Sequence, residues 1–113
     1  MSLVFHITPR SHWQQAQPLG EYQATSLDSE GFIHCSTASQ VVRVANLFYQ
    51  GQTDLVLLCI DVDRVQPELR YDVVETGEQF PHIYGALNLD AVVQVVEFEP
   101  NADGWFELPA AIA

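Results

Sequence analysis

The sequence predicts an α+β fold with mixed, mostly antiparallel, split β-sheets and two main helices in its N-terminal half. Six or seven short strand-like runs are spread over the chain and cluster in its second half, whereas both helix signals lie in the first half. This segregation is typical of α+β proteins and not of a βαβ repeat. With 113 residues, 48% of them hydrophobic, the chain is expected to form a single domain over residues 1–113.

Both helices are predicted from capping signals and apolar periodicity. The first is expected to begin with Thr8 as N-cap and Pro9 at the first helical position, and to stop near Gln17, before Pro18. The second is expected after the capping-box sequence 37–40. Its apolar positions have the i, i+3, i+4, i+7 spacing of one buried face: Val41, Val44, Ala45 and Phe48.

Apolar patterning predicts the strands. Residues 3–8 alternate, and residues 55–60 are apolar on both faces, which indicates a central strand covered on each side. Pro81 removes a backbone donor from the segment 80–85, so an edge strand or strand entry is expected there. Further strands are expected at 32–35, 71–74 and 91–99, a loop or irregular strand at 20–30, and a closing strand at 105–108.

The charge balance restricts the expected partners. Fifteen acidic residues against four arginines and no lysine give a net charge of −11. Such a surface repels phosphate backbones and anionic lipids, so neither duplex nucleic acid nor a membrane is an expected partner. No membrane-length apolar run and no signal-peptide pattern is present, so a cytoplasmic location is expected. Cys35 and Cys59 are then expected to be buried free thiols.

Three histidines, His6, His34 and His82, occupy similar strand-like contexts between bulky apolar neighbours. Because strand side chains alternate, each shares a face with the hydroxyl-bearing residue two positions later. Those residues are Thr8, Ser36 and Tyr84. Polar faces of this kind are typical of a pocket, so we expect a histidine-lined cleft that takes a small molecule. His34 and His82 are the candidate catalytic residues, because imidazole exchanges protons near neutral pH.

Further residues are candidates for ligand contacts. Ser36 or Thr37 is expected to cap the second helix, whose free amides would receive a phosphate or carboxylate. Arg10, at the end of the first strand, is the cation best placed to contact an anion. Tyr84 would either stack on a flat ring or fill the core, and the sequence favours neither. His12 is expected near the surface of the first helix.

Metal and nucleophile chemistry are not expected. His6, His34 and His82 would form a catalytic zinc site only if their strands were adjacent, and no local metal spacing supports this. Cys35 should point away from its neighbour His34, which argues against a Cys–His pair. The sequence also contains neither of the glycine-rich phosphate-binding motifs, GxGxxG and GxxxxGK[ST].

Five segments together carry a resemblance that spans nearly the whole chain: 5–8, Trp13, 31–36, 54–58 and 80–85. In these segments the chain resembles a small, mostly bacterial family of domains of unknown function, family 952. That family is similar to a minimal ADP-ribosyltransferase-like fold, in which two small antiparallel sheets form a cleft that holds NAD.

The resemblance implies roles for individual residues. His6, in the first motif together with Thr8, would contact the ribose on the nicotinamide side of the ligand. Ser36 matches the second motif. The third motif normally supplies a glutamate, and the surroundings of Glu97 and Glu99 do not match it. An NAD-like nucleotide is the ligand that the resemblance implies.

Three functions stay open at the level of the sequence. The first is a cleft that binds a nucleotide-like, NAD- or ADP-ribose-like, or other anionic ligand; its contact residues would be His6, Thr8, Arg10, Ser36 and Tyr84. The second is an enzyme of glycosidic or phosphoribosyl transfer with His34 or His82 as general acid–base. The third is a non-catalytic protein-interaction module whose histidines are structural.

Overall fold

A computed structural model describes residues 2–112, so the two end residues of the expected 1–113 domain lie outside it. The strands are β1 (Leu3–Pro9), β2 (Glu21–Tyr22), β3 (Ile33–His34), β4 (Leu55–Asp61), β5 (Glu68–Val73), β6 (Gln79–Tyr84), β7 (Leu87–Asn88) and β8 (Val92–Glu97). The helices are α1 (Arg10–Leu19), α2 (Thr25–Ser29) and α3 (Val41–Phe48), with 3-10 turns at Val62–Arg64 and Leu89–Ala91.

The strands form three sheets, ordered β1–β4–β8, β3–β6–β5 and β2–β7, and the pairing in each is antiparallel. The predicted α+β class with split antiparallel sheets is therefore confirmed. No helix within residues 2–112 is both long enough and apolar enough to cross a membrane.

The central strand is β4, as the sequence predicts. All seven of its residues are buried, and it pairs with β1 on one side and β8 on the other. Its alternate residues enter two different apolar clusters, one containing Val56, Leu58 and Ile60 and the other containing Leu55, Leu57 and Cys59. The strand is apolar on both faces because each face packs against its own core.

The two three-stranded sheets meet at one backbone bridge. The Phe5 amide donates to the Ser36 carbonyl at 2.7 Å, and the Ser36 amide donates back to the Phe5 carbonyl at 2.8 Å. This bridge places β1 beside β3, so side chains from both sheets face a common space.

The start and end of the first helix differ from the prediction. Thr8 does not cap α1, because it belongs to β1 and its hydroxyl oxygen lies 2.9 Å from that of Tyr22. Pro9 is the N-cap instead, and no side chain bonds the first amides. The helix continues through Pro18 to Leu19. It ends at Gly20, whose φ of 77° allows its amide to bond the carbonyls of the last turn.

The expected capping role of Ser36 or Thr37 is wrong. α3 begins only at Val41, with Gln40 as its N-cap, and the Ser36 amide is already bonded to Phe5. One half of the predicted capping box does form, since Gln40 Oε1 accepts from the Thr37 amide at 3.0 Å. The residues between are a turn, because the amides of Gln40 and Val41 both donate to the Thr37 carbonyl.

β6 lies at the centre of its sheet, between β3 and β5, and not at an edge as Pro81 suggested. The Pro81 carbonyl accepts from the Cys35 amide at 3.0 Å, so the missing N–H of Pro81 also faces the β3 side. The paired run of β3 and β6 ends at His34 opposite His82, one residue before this position. The proline is tolerated because the β3 ladder stops there.

Two other predictions need correction. The segment 20–30 is not a plain loop or strand, because it contains both β2 and α2. The segment 105–108 forms no strand; it is held by Phe106, which is buried with its ring centroid 4.9 Å from that of Phe98. Cys35 and Cys59 are buried free thiols, as predicted.

Candidate functional site

All four histidines of the sequence line one cavity of about 770 Å3. His6 comes from β1, His34 from β3 and His82 from β6, and the bridge between the two sheets brings these strands together. His12 is exposed on α1, as predicted, yet it also lines the cavity. The three histidines that sequence patterning grouped thus converge, and a fourth joins them.

His6 is the buried floor of the cavity. Its Nδ1 lies 2.5 Å from the His34 carbonyl oxygen, and its Nε2 lies 2.8 Å from the Tyr22 hydroxyl. Burial lowers the pKa of His6 to about 4, so the ring is neutral at pH 7. Because a carbonyl only accepts, the single ring proton sits on Nδ1, and Nε2 accepts from Tyr22.

Tyr22 and Thr8 complete a directed hydrogen-bond chain. The Tyr22 hydroxyl donates its one hydrogen to His6 Nε2. Its oxygen therefore accepts from the Thr8 hydroxyl, 2.9 Å away. Burial raises the pKa of Tyr22 to about 12, which keeps the phenol protonated. Both nitrogens of His6 are therefore occupied within the protein. A ligand would reach Nε2 only by taking the place of Tyr22, and the ribose contact of His6 stays a prediction.

His82 has an oriented ring with one free nitrogen. Its Nδ1 lies 2.8 Å from Asp72 Oδ2, and the Tyr84 hydroxyl donates to the same oxygen. The bonds from Tyr84 and then His82 hold the pKa of Asp72 below its usual range. The carboxylate fixes the proton of the neutral ring on Nδ1. Nε2 has no hydrogen-bond partner among residues 2–112, although His82 itself is buried and lines the cavity.

His34 forms a second histidine–carboxylate pair. Its Nε2 lies 2.8 Å from Glu30 Oε2, and about half of its side chain is exposed. The His34 and His82 ring centroids are 5.3 Å apart with an edge-to-face geometry. Phe32 stacks on His82 at 4.0 Å and holds that ring in place. Two imidazoles, each oriented by its own carboxylate, therefore stand side by side at the cavity.

The remaining predicted residues divide into two groups. Thr8 and Ser36 line the cavity. Arg10 and Tyr84 do not: Arg10 pairs with Asp54 at 2.8 Å and Glu97 at 2.6 Å. Tyr84 reaches the site through its bond to Asp72, and the Arg70 guanidinium lies 4.6 Å from the centre of its ring.

In the described part of the chain, no three His, Cys, Asp or Glu side chains are grouped to hold a metal ion.

Four residues of the site were missed by sequence reasoning: His12, Tyr22, Glu30 and Asp72. For Asp72 a signal existed, because pairing β5 with β6 as a hairpin sets Arg70 opposite His82 and places Asp72 diagonally from it. Tyr22 offered no such signal. It meets His6 only through the tertiary packing of β2, which sits in a segment without clear periodicity.

The chain is similar to one protein family of unknown function and to three solved structures of one bacterial protein. The family model described as "Protein of unknown function (DUF952)" matches residues 7–95. The crystal structure of protein CC0527 from Caulobacter crescentus is similar at a TM-score of 0.87 and 29% identity, over 95% of each chain. A crystal structure of its double mutant gives 0.86 at the same identity and coverage, and its solution NMR structure gives 0.83 at 29% identity over 96% of this chain and 94% of that one. No curated protein matches the chain.

Proposed function

The chain belongs to the DUF952 family of proteins of unknown function, and we propose that its histidine-lined cavity binds a small nucleotide-like ligand, such as ADP-ribose, NAD or another anionic molecule. The observation that carries the proposal is the convergence of all four histidines on one cavity. Core histidines that only satisfied their own backbone would have no reason to gather at a single concave surface.

The composition of the cavity suits such a ligand. Its volume of about 770 Å3 is in the range of small-molecule and cofactor sites. Thr8 and Ser36 offer hydroxyl groups, and the free nitrogens of His34 and His82 offer acceptors for ribose hydroxyls. Apolar and aromatic side chains form much of the remaining lining, which also includes Thr25, Ser26 and Glu30. A ligand with both a polar sugar and a flat ring would use both kinds of surface.

The proposal includes the likeness to the ADP-ribosyltransferase-like fold. Two antiparallel sheets joined at Phe5 and Ser36, with His6 on the first strand beside the cavity, support it. Fold-level likeness is an analogy and not evidence for a reaction. Glu97, one of two late-strand glutamates, pairs with Arg10 and does not line the cavity, so the third motif of that fold has no support from this residue.

Calorimetric titration with ADP-ribose, NAD and AMP tests the proposal. We expect saturable binding of at least one, and a loss of about twofold to tenfold in affinity for His34→Ala, since a typical hydrogen bond contributes about 0.5 to 1.5 kcal/mol. Gln94→Ala, exposed on β8, is the control that should bind like the parent. If none of the three ligands binds, the proposal is wrong.

His82→Asn gives a second variant that keeps a polar side chain at the buried position. Folded protein with weakened binding supports a ligand-contacting histidine. If instead the His34 and His82 variants bind as the parent does, or if loss of binding always accompanies unfolding, the histidines are structural. The interaction-module alternative would then explain them.

A second candidate function is acid–base catalysis of glycosidic or phosphoribosyl transfer. It is favoured by the two carboxylate-oriented imidazoles, His34 with Glu30 and His82 with Asp72, whose ring centroids are 5.3 Å apart. One imidazole would accept the proton of the attacking hydroxyl while the other donates one to the leaving group. Chromatography of NAD and AMP after incubation tests this. Cleavage abolished by His82→Asn supports catalysis, and unchanged nucleotides contradict it.

A further inference from the structure

One wall of the cavity is apolar and differs from the histidine floor. It is formed by residues from α3 and the position after it, and from the turn end of the β5–β6 hairpin: Val44, Phe48, Tyr49, Val74 and Phe80. We infer that this wall is a stacking subsite for the flat heterocyclic ring of the ligand, with Phe48 as its ring-contacting residue. The inference rests on the proposed function and deepens it by dividing the cavity into a ring end and a sugar end.

Folding does not explain the position of Phe48. The sequence predicts it as part of the buried stripe of α3, but only Val41 and Ala45 are fully buried, and Phe48 is 71% exposed. Leaving most of an aromatic side chain exposed forgoes most of the about 1.5 to 3 kcal/mol that its full burial would contribute. Phe48 nevertheless lines the cavity, one helical turn beyond Val44 on the same face. A large apolar side chain that is solvent-exposed inside a concave site is suited to contact a ligand.

The wall is braced by polar contacts outside it. Gln40, at the N-terminal end of α3, donates from Nε2 to the Gln79 carbonyl at 2.8 Å. The Arg43 guanidinium pairs with Glu78 in the turn that leads into β6. These bonds tie the N-terminal half of α3 to the turn and strand of the hairpin that carries Phe80. A wall whose two parts are held together in this way suits a rigid planar ring.

The chemistry of the wall selects an uncharged aromatic ring. None of its five side chains carries a charge, and Tyr49 is half-buried with a pKa raised by burial, so its hydroxyl stays protonated. Stacking of a base on an aromatic side chain needs only a π-face and tolerates any base. The hydrogen-bonding groups lie elsewhere in the cavity, at His34 and His82. A nucleoside moiety, with its ring on Phe48 and its sugar toward the histidines, fits this division.

Phe48→Ala and Leu47→Ala form a matched pair for the test. Both residues are large, apolar and exposed on α3, but only Phe48 lines the cavity. The probes are adenosine, ADP-ribose and the ringless control ribose 5-phosphate, each titrated by calorimetry. For Phe48→Ala we expect adenosine and ADP-ribose to bind about fivefold to 150-fold more weakly, the range of base–aromatic stacking. Ribose 5-phosphate should bind Phe48→Ala as it binds the parent.

The outcomes separate this inference from the function on which it rests. If the parent binds ADP-ribose and Phe48→Ala binds it equally well, the stacking subsite is wrong and the cavity proposal stands. If Phe48→Ala weakens ribose 5-phosphate as much as ADP-ribose, the effect is not stacking and the subsite is again wrong. If the parent binds none of the probes, both proposals fail. Phe48→Trp, which keeps a stacking surface, should retain ADP-ribose affinity.

Discussion

The Nδ1 nitrogen of His82 lies 2.8 Å from a carboxylate oxygen of Asp72, and the Tyr84 hydroxyl donates to that same oxygen. The Asp72 carboxylate, on β5, thereby bonds both His82 and Tyr84, which lie two positions apart on β6. The arrangement fixes the orientation of the imidazole and leaves Nε2 as its free nitrogen at the cavity. A ligand hydroxyl in the cavity would donate a hydrogen bond to this nitrogen.

Removing the Tyr84 hydroxyl should raise the pKa of Asp72. The hydrogen bond from Tyr84 is the largest cause of its lowered pKa, so Tyr84→Phe should move that pKa toward the ordinary aspartate range. Carboxyl carbon NMR titration measures it. Tyr71→Phe, an exposed tyrosine on the same strand as Asp72, is the control and should leave the titration unchanged. An unshifted Asp72 in Tyr84→Phe would contradict the hydrogen-bond assignment.

The buried His6 should make stability depend on pH in a defined window. Its pKa is about 4 in the folded protein against about 6.5 unfolded, so between these values the unfolded chain binds a proton that the folded chain does not. Stability is therefore full above pH 6.5 and falls as the pH drops to 4. The full shift corresponds to about 3 kcal/mol.

Urea unfolding at pH 7.5 and pH 4.5 measures this loss. His6→Gln should reduce the difference in unfolding free energy between the two pH values, because glutamine does not titrate there. Gln94→Ala, exposed on β8, should retain the parent's difference. A His6→Gln protein with the parent's full pH dependence would show that His6 is not held neutral.

The hydroxyl of Tyr22 should contribute to stability through its two partners. Tyr22→Phe leaves His6 Nε2 and the Thr8 hydroxyl without their shared partner in a buried site. An unsatisfied buried polar group costs about 1 to 3 kcal/mol, so a loss in that range is expected by chemical denaturation. Tyr49→Phe is the control, since no hydrogen bond to the Tyr49 hydroxyl exists within residues 2–112. Equal stability of the two variants would rule out the hydrogen-bond chain.

Shortening a side chain on the central strand β4 should lower the free energy of unfolding more than shortening an exposed one elsewhere. Leu58 is completely buried in the middle of β4, so Leu58→Ala should lower the free energy of unfolding by about 2 to 5 kcal/mol. Val73→Ala on β5, where the side chain is 65% exposed, should change it by less than about 0.5 kcal/mol. Thermal or urea unfolding measures both. A small loss at Leu58 would mean that β4 is not the core of the fold.

Sequence patterns predict the existence of strands better than they predict where a helix begins. β4 and the histidine-containing strands were found because apolar runs and alternation reflect burial directly. The N-cap at Thr8 and the capping role of Ser36 were wrong, because each residue is held in an extended strand or bridge by a distant partner, Tyr22 and Phe5 respectively. Local signals do not contain those tertiary contacts.

The site was predicted in part for the same reason. Alternation gave the faces of His34 and His82, and the pairing of β3 with β6 then brought those faces together. The carboxylate partners depend on strand register and on the short helix α2, neither of which periodicity fixes. Phe48 was placed in the core because its spacing fits a buried stripe, but the stripe ends one turn before it.

An imidazole NMR titration of the parent protein with ADP-ribose would show whether the histidine-lined cavity binds this ligand. We predict saturable shifts of the His34 and His82 ring signals with one common dissociation constant. The exposed Gln94 amide on β8 should remain unshifted. No shift at either ring at saturating ADP-ribose, or shifts spread equally over Gln94 and the two rings, would contradict the claim that this cavity is a nucleotide-like ligand site.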